Sequence, residues 1–175
     1  MYQRILVPVD GSPTSARGLE EAIGIARLTH GRLRLLHVID ELSFALAMDA
    51  YSGFAGDWLN VLRERGRSLL DEWGATAQAA GIEADLVLCD TFSGSVQDQV
   101  TAEASKWPAD LIVVGTHGRR GVGRLVMGSS AEQILRYATV PVLLVRAPEA
   151  DAKTQAESTL DPTRPDPRSA GPSFT

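Results

Sequence analysis

Several residue types and patterns are scarce in this sequence, and each shortage removes a class of protein. Its 175 residues hold one cysteine, Cys89, so no intramolecular disulfide is available. That thiol ends the apolar run Leu86-Val87-Leu88-Cys89 and reads as core filler in a protein kept in a reducing compartment. No stretch approaches the roughly 18 consecutive apolar residues of a membrane span. The first residues enter a strand-like pattern at once, without a basic and then apolar signal region. A soluble, cytoplasmic chain without a membrane partner is expected. Positive charge is scarce too: 17 Lys and Arg against 22 Asp and Glu leave a formal charge of -5. With no global positive field to draw the chain to nucleic acid or anionic lipid, any anion site must be local.

What is present is an ordinary globular composition, 44% hydrophobic and 22% charged, long enough to bury one sizeable core. Residues 4–9 form a short β-rich apolar run, and Asp10-Gly11-Ser12-Pro13 then supplies turn residues, a helix cap and a proline suited to a first helical turn. The spacing predicts a helix over 14–30 through Leu19, Ile23, Ala26 and Leu28, with Gly31 as its left-handed cap. A strand over 33–39 follows. Residues 40–57 read as a long loop running into a helix. Trp58, Leu62, Leu69, Trp73, Ala77 and Ala80 mark the apolar stripe of that helix, which Gly81 ends. Then come a strand at 86–89, a helix over 93–106, and a strand over 110–115 whose unbroken apolar run suits a parallel sheet covered on both faces. A helix over 129–137 and a strand over 140–146 close the pattern, with Pro141 tolerable near the strand start or on an edge.

This alternation predicts a single α/β domain: a doubly wound, five-stranded parallel sheet with helices on both faces. Ligands of such sheets sit beyond the carboxyl ends of the strands, where strand order reverses. Asp10 and the loop after Gly115 both lie at such ends. After Ala147 the composition turns to Pro, Asp, Ser, Thr, Ala and Arg. The expected division is a domain over 1–147 and a disordered, solvated tail over 148–175.

Residues 115–130 place five glycines, Gly115, Gly118, Gly121, Gly123 and Gly128, between a buried strand and a helix. Glycine lets backbone N–H groups face a ligand without side-chain obstruction, and Gly128-Ser129-Ser130 stands where a helix begins, so the segment reads as a phosphate cradle. Arg119, Arg120 and Arg124 either attract a polyphosphate or are solvated loop charges. His117, flanked by the loop, is a candidate donor to ribose or phosphate. Ser129 and Ser130 read as helix caps that also donate, in preference to phosphoacceptors. His37, in an apolar strand, reads as a satisfied core histidine. Two generic motifs fail. Gly123 to Gly128 has P-loop spacing but Ser129 replaces the clamping lysine, and Gly121-Val122-Gly123 continues to Val126 where a dinucleotide fingerprint needs its third glycine.

Gly115-x-x-Gly118, nine intervening residues and Gly128-Ser129 resemble the nucleotide-binding signature of the ATP-binding branch of the universal stress protein family. The resemblance extends to Ile5-Leu6-Val7-Pro8-Val9-Asp10-Gly11-Ser12, His37-Val38, the run from Ala109 to Gly118, and Val140-Pro141-Val142-Leu143-Leu144-Val145-Arg146. It implies that Pro8, Val9 and Asp10 line a cleft for ATP, ADP or AMP, with the Val38 backbone at the adenine edge. Val114, Gly115, Thr116, His117 and Gly118, joined by Arg119 and Arg120, would approach ribose and phosphate, and Gly128, Ser129 and Ser130 would hold phosphate oxygens. Asp10 is either a turn former or a contact to Mg²⁺ or Mn²⁺ bound with the nucleotide. The resemblance also implies a homodimer through the last strand, Val140 to Arg146.

The expected function is an ATP-binding stress or signalling module with at most slow hydrolysis, because fast phosphoryl transfer needs charge neutralisation that the missing P-loop lysine does not supply. A slow ATPase or autokinase and a nucleotide-independent interaction module are the alternatives.

Overall fold

Alternating apolar runs and amphipathic stretches assemble into strands and crossover helices in chain order. The computed structural model describes residues 1–39, 58–90, 94–116 and 128–146. Its elements are β1 (Arg4–Pro8), α1 (Pro13–Thr29), β2 (Arg32–Val38), α2 (Trp58–Ala79), β3 (Ala84–Cys89), α3 (Val96–Lys106), β4 (Leu111–Gly115), α4 (Ser129–Tyr137) and β5 (Val142–Val145). The expected loop over 40–57, the glycine-rich loop over 117–127 and the tail over 148–175 lie outside the described residues.

All pairings are parallel and the strand order is β3-β2-β1-β4-β5. Period-two alternation divides the buried side chains between two faces. Ile5, Val7, Leu33, Leu35, Leu111 and Val113 meet Leu19 and Ile23 of α1 and Leu70 and Ala77 of α2. Leu6, Leu36, Ile112 and Val114 meet Val100 and Ala104 of α3 and Ala131 and Ile134 of α4. Each fully buried large aliphatic contributes about 1.5–3 kcal/mol, and a one-residue slip of any strand would exchange its two faces, so the register is strongly specified. The chain builds β1, β2 and β3 in one direction with α1 and α2 on one face. It then crosses back over the other face through α3 to β4. Strand order therefore reverses between β1 and β4.

Local capping explains the helix boundaries and revises several expectations. Ser12 caps α1, its side chain accepting from the Ser15 amide, with Pro13 at the first position. At the other end His30, not Gly31, adopts the left-handed conformation at φ 52°. Gly31 answers a different need, since a Cβ there would stand 2.8 Å from the Tyr2 carbonyl oxygen. Leu28, expected on the apolar stripe, is 85% exposed because it falls on the solvent side of α1. The third helix starts at Val96 instead of 93: Ser95 and Asp98 form a capping box, and their hydrogen bonds hold the Asp98 carboxyl below its usual pKa. Cys89 belongs to an edge strand; it is partly exposed, and its thiol donates to Gln99 Oε1 at 3.1 Å while packing against the second core.

At the amino-terminal end of the sheet, Arg34 bonds Asp85 at 2.8 Å and Glu103 at 2.7 Å while stacking 4.6 Å over the Trp107 ring. Burial alone lowers the pKa of this guanidinium, but the bonds to Asp85 and Glu103 outweigh it and the net shift is upward. The cluster fastens the end of α3 to β2 and β3, and lies opposite the strand ends at which a ligand is expected.

Candidate functional site

The candidate crevice opens where β1 and β4 part. On the β1 side, Pro8 is half-buried and Val9 buried, and the Val9 amide extends the sheet ladder by donating to the Leu36 carbonyl at 2.8 Å. Asp10 follows in a tight turn: its amide donates to Ser15 Oγ at 3.2 Å and its Oδ1 accepts from the Ser12 amide at 2.9 Å. This is the turn-forming role that the sequence left open beside metal contact. Ser12, Thr14 and Ser15 are all buried, with Ser12 Oγ and Thr14 Oγ1 3.2 Å apart. Sequence reasoning missed Thr14 and Ser15. The signal was the hydroxyl cluster Ser12, Thr14 and Ser15 in a first helical turn, which only a buried helix start makes unusual.

On the β4 side, Val114 and Thr116 are buried and Gly115 lies against α1. A Cβ on Gly115 would stand 2.7 Å from the Thr14 carbonyl carbon and 2.9 Å from the Ser15 nitrogen. Backbone packing against α1 thus accounts for this glycine before any ligand is considered. The Thr116 amide donates to the Val145 carbonyl at 2.8 Å, and the Gly128 amide donates to the Thr116 carbonyl at 2.7 Å. The chain therefore leaves the sheet at Thr116 and returns beside it at Gly128. His117, Gly118, Arg119 and Arg120 fall in the intervening segment, outside the described residues.

Gly128, and neither serine, is the N-cap of α4, with φ -59° and ψ 140° and no side-chain capping bond. Ser129 and Ser130 instead occupy the first two helical positions and are exposed. Their hydroxyls and the first amides of α4 form a donor set whose chemistry suits phosphate oxygens. Glu132 in the same turn partly offsets the positive helix end. Val38 ends β2, in register with Cys89, one strand from β1 on the other side of the reversal. The buried His37 beside it donates from Nδ1 to the Val9 carbonyl at 2.7 Å, the satisfied core histidine the sequence implied. Asp10, Ser15, Gly115, Thr116 and Gly128 thus form one continuous chain of contacts, with Val38 on its flank.

The described residues contain no group of three His, Cys, Asp or Glu able to hold a metal ion. A divalent ion at Asp10 would take its remaining ligands from a bound phosphate. A separate open groove of about 500 Å³ runs along α2, lined by Val61, Glu64, Arg65, Ser68, Leu69 and Glu72. Leu69 is its link to the crevice, lying 3.6 Å from where a Cβ on Gly11 would stand. Among the described residues no helix is long and apolar enough to cross a membrane.

The sheet order and the loops converging at its reversal define the class: a single-domain, doubly wound α/β protein of the kind that receives ligands at the carboxyl ends of its first and fourth strands. The chain belongs to the universal stress protein family, whose model matches residues 1–146. It is 30% identical over 154 residues to universal stress protein MJ0531 of Methanocaldococcus jannaschii, covering 86% of each chain. It is similar to the crystal structure of a universal stress protein family member from Burkholderia pseudomallei, with 32% identity, a TM-score of 0.65, and coverage of 83% of this chain and 97% of that one. A universal stress protein solved in complex with cAMP is 25% identical, with a TM-score of 0.60 and coverage of 83% and 97%.

Proposed function

We propose that this chain is an adenine-nucleotide-binding module of the stress-protein type, taking ATP or its mono- or diphosphate relatives in the crevice between β1 and β4. The observation that carries the reading is the 2.7 Å bond from the Gly128 amide to the Thr116 carbonyl, which brings the residues flanking the glycine-rich segment together at the carboxyl end of β4, beside a helix start without a side-chain cap. A related protein solved with cAMP supports an adenine nucleotide as the ligand class. In this reading Gly128, Ser129 and Ser130 hold phosphate oxygens, and Pro8, Val9, Asp10 and Val38 line the base and ribose side. Val114, Gly115, Thr116, His117, Gly118, Arg119 and Arg120 complete the wall, and Mg²⁺ or Mn²⁺ enters with the phosphates at Asp10.

The module is a binder before it is an enzyme. The helix start carries Ser129 where a phosphate-clamping lysine would neutralise developing charge, so hydrolysis is at most slow. Nucleotide binding then serves as a switch whose output passes through the bound and free states. Replacing Gly128 with Leu tests the site. A branched side chain at the helix start obstructs the amides offered to phosphate, so the folded variant loses most ATP binding in calorimetry while its circular dichroism stays that of the parent. Parent-like affinity in the folded variant would place the nucleotide elsewhere.

A further inference from the structure

His37 sits under α2 with its ring turned towards the end of β1, and contacts to Val9 and Gly66 are among those that hold it there. The Val9 oxygen is a carbonyl and only accepts, so Nδ1 of His37 carries the proton in the 2.7 Å bond between them. Against the ring's other edge lies Gly66 of α2, where a Cβ would stand 2.8 Å from His37 Cδ2 and 2.7 Å from Leu88 Cδ1. The register between β1 and β2 ends at the Pro8–Leu36 pair, and at Val9, one residue further, the amide bonds the Leu36 carbonyl while the carbonyl takes the imidazole.

The Val9 carbonyl and the Asp10 amide belong to one planar peptide unit, so fixing one end orients the other. His37 of β2 holds the oxygen end at 2.7 Å, and Ser15 of α1 holds the nitrogen end at 3.2 Å. The plane is thereby pinned from two elements that approach from opposite sides along the sheet. We infer that His37 is a positioning residue for the candidate nucleotide site, a strut between α2 and the Val9–Asp10 peptide that sets where the Asp10 backbone and carboxylate emerge into the crevice. The inference rests on the proposed nucleotide reading for its effect on binding, but not for the strut itself. Because the bond uses Nδ1–H, it is available to the neutral and the protonated ring alike.

Two substitutions separate positioning from packing. His37→Asn keeps an amide nitrogen near the place of Nδ1, whereas His37→Leu fills the volume without a donor. Amide resonances of Asp10 and Gly11 in the nucleotide-free protein report the strut directly, and ATP calorimetry reports its consequence. The expected result is displaced Asp10 and Gly11 resonances and about tenfold weaker ATP binding in His37→Leu, with both returned towards the parent in His37→Asn. A folded His37→Leu protein with parent resonances overturns the strut, and equal loss of ATP affinity in both variants overturns a positioning role in favour of simple packing. If the parent itself binds no ATP, the nucleotide reading fails while the resonances still decide the strut. If His37→Leu does not fold, Gly66→Ala presses on the ring without removing its donor, and unchanged Asp10 and Gly11 resonances in that protein overturn the inference.

Discussion

Gly115 illustrates how a residue that looks like a ligand contact answers first to packing. The first turn of α1 comes so close to the end of β4 that an added Cβ would meet the Thr14 and Ser15 backbone at 2.7–2.9 Å. Backbone does not rotate out of the way as a flexible side chain does, so the helix or the strand must move. Gly115→Ala is expected to cost about 1–3 kcal/mol, read as a lower melting temperature in calorimetry or thermal circular dichroism. The same shift moves Ser15 and, through its bond to the Asp10 amide, the turn at the end of β1. A variant with parent stability would mean that α1 and β4 are less closely fitted than this geometry has them.

At the level of elements, β5 matters most beyond the site, because it is the last strand in the sheet order and β4 pairs with only one of its sides. Leu144 and Val142 face the second core, whereas Leu143 is 36% exposed. An apolar strand on an open edge recruits a partner strand unless it is covered, and we propose that a second copy of the chain pairs there, over residues 140–146. Leu143→Asp tests this better than a charge at Leu144, which would enter the core as well as the edge. Light scattering is expected to show a shift from dimer towards monomer with the fold retained, and an unchanged dimer at low micromolar concentration would remove β5 from the interface.

For the whole molecule, the order β3-β2-β1-β4-β5 puts the strand reversal between β1 and β4, and the family match covers residues 1–146. The family model ends at residue 146, and Leu160 and Phe174 are the large apolar residues of the remaining sequence, so we propose that it adds little to the folded unit. Removing residues 150–175 is expected to leave melting temperature and ATP affinity close to those of the full chain. A marked loss of either on truncation would make the tail part of the folded unit. The Arg34 cluster lies at the far end of the sheet, so it contributes to holding α3 in place without touching the crevice.

Much of this was legible in the residues themselves. Apolar runs of strand length alternating with helical spacing dictate a parallel sheet, because parallel neighbours need crossovers, and Ser129–Tyr137 was readable to both of its ends. The positions of Asp10 and the glycine-rich segment at strand ends followed from the same alternation. Boundaries set by side-chain capping were less accessible: the start of α3 depends on Ser95 and Asp98 closing on each other, and the end of α1 on His30 taking a left-handed conformation beside a glycine that seemed the better candidate. Contacts between elements distant in sequence could not be read at all. Gly115 against Thr14, Gly66 against His37, and His37 against the Val9 carbonyl join residues far apart along the chain, and spacing carries no record of which surfaces will meet. The kinds of element and their order are written in the residue pattern, because apolar period reports local geometry; which groups face one another is not, because it depends on how closely the helices settle on the sheet.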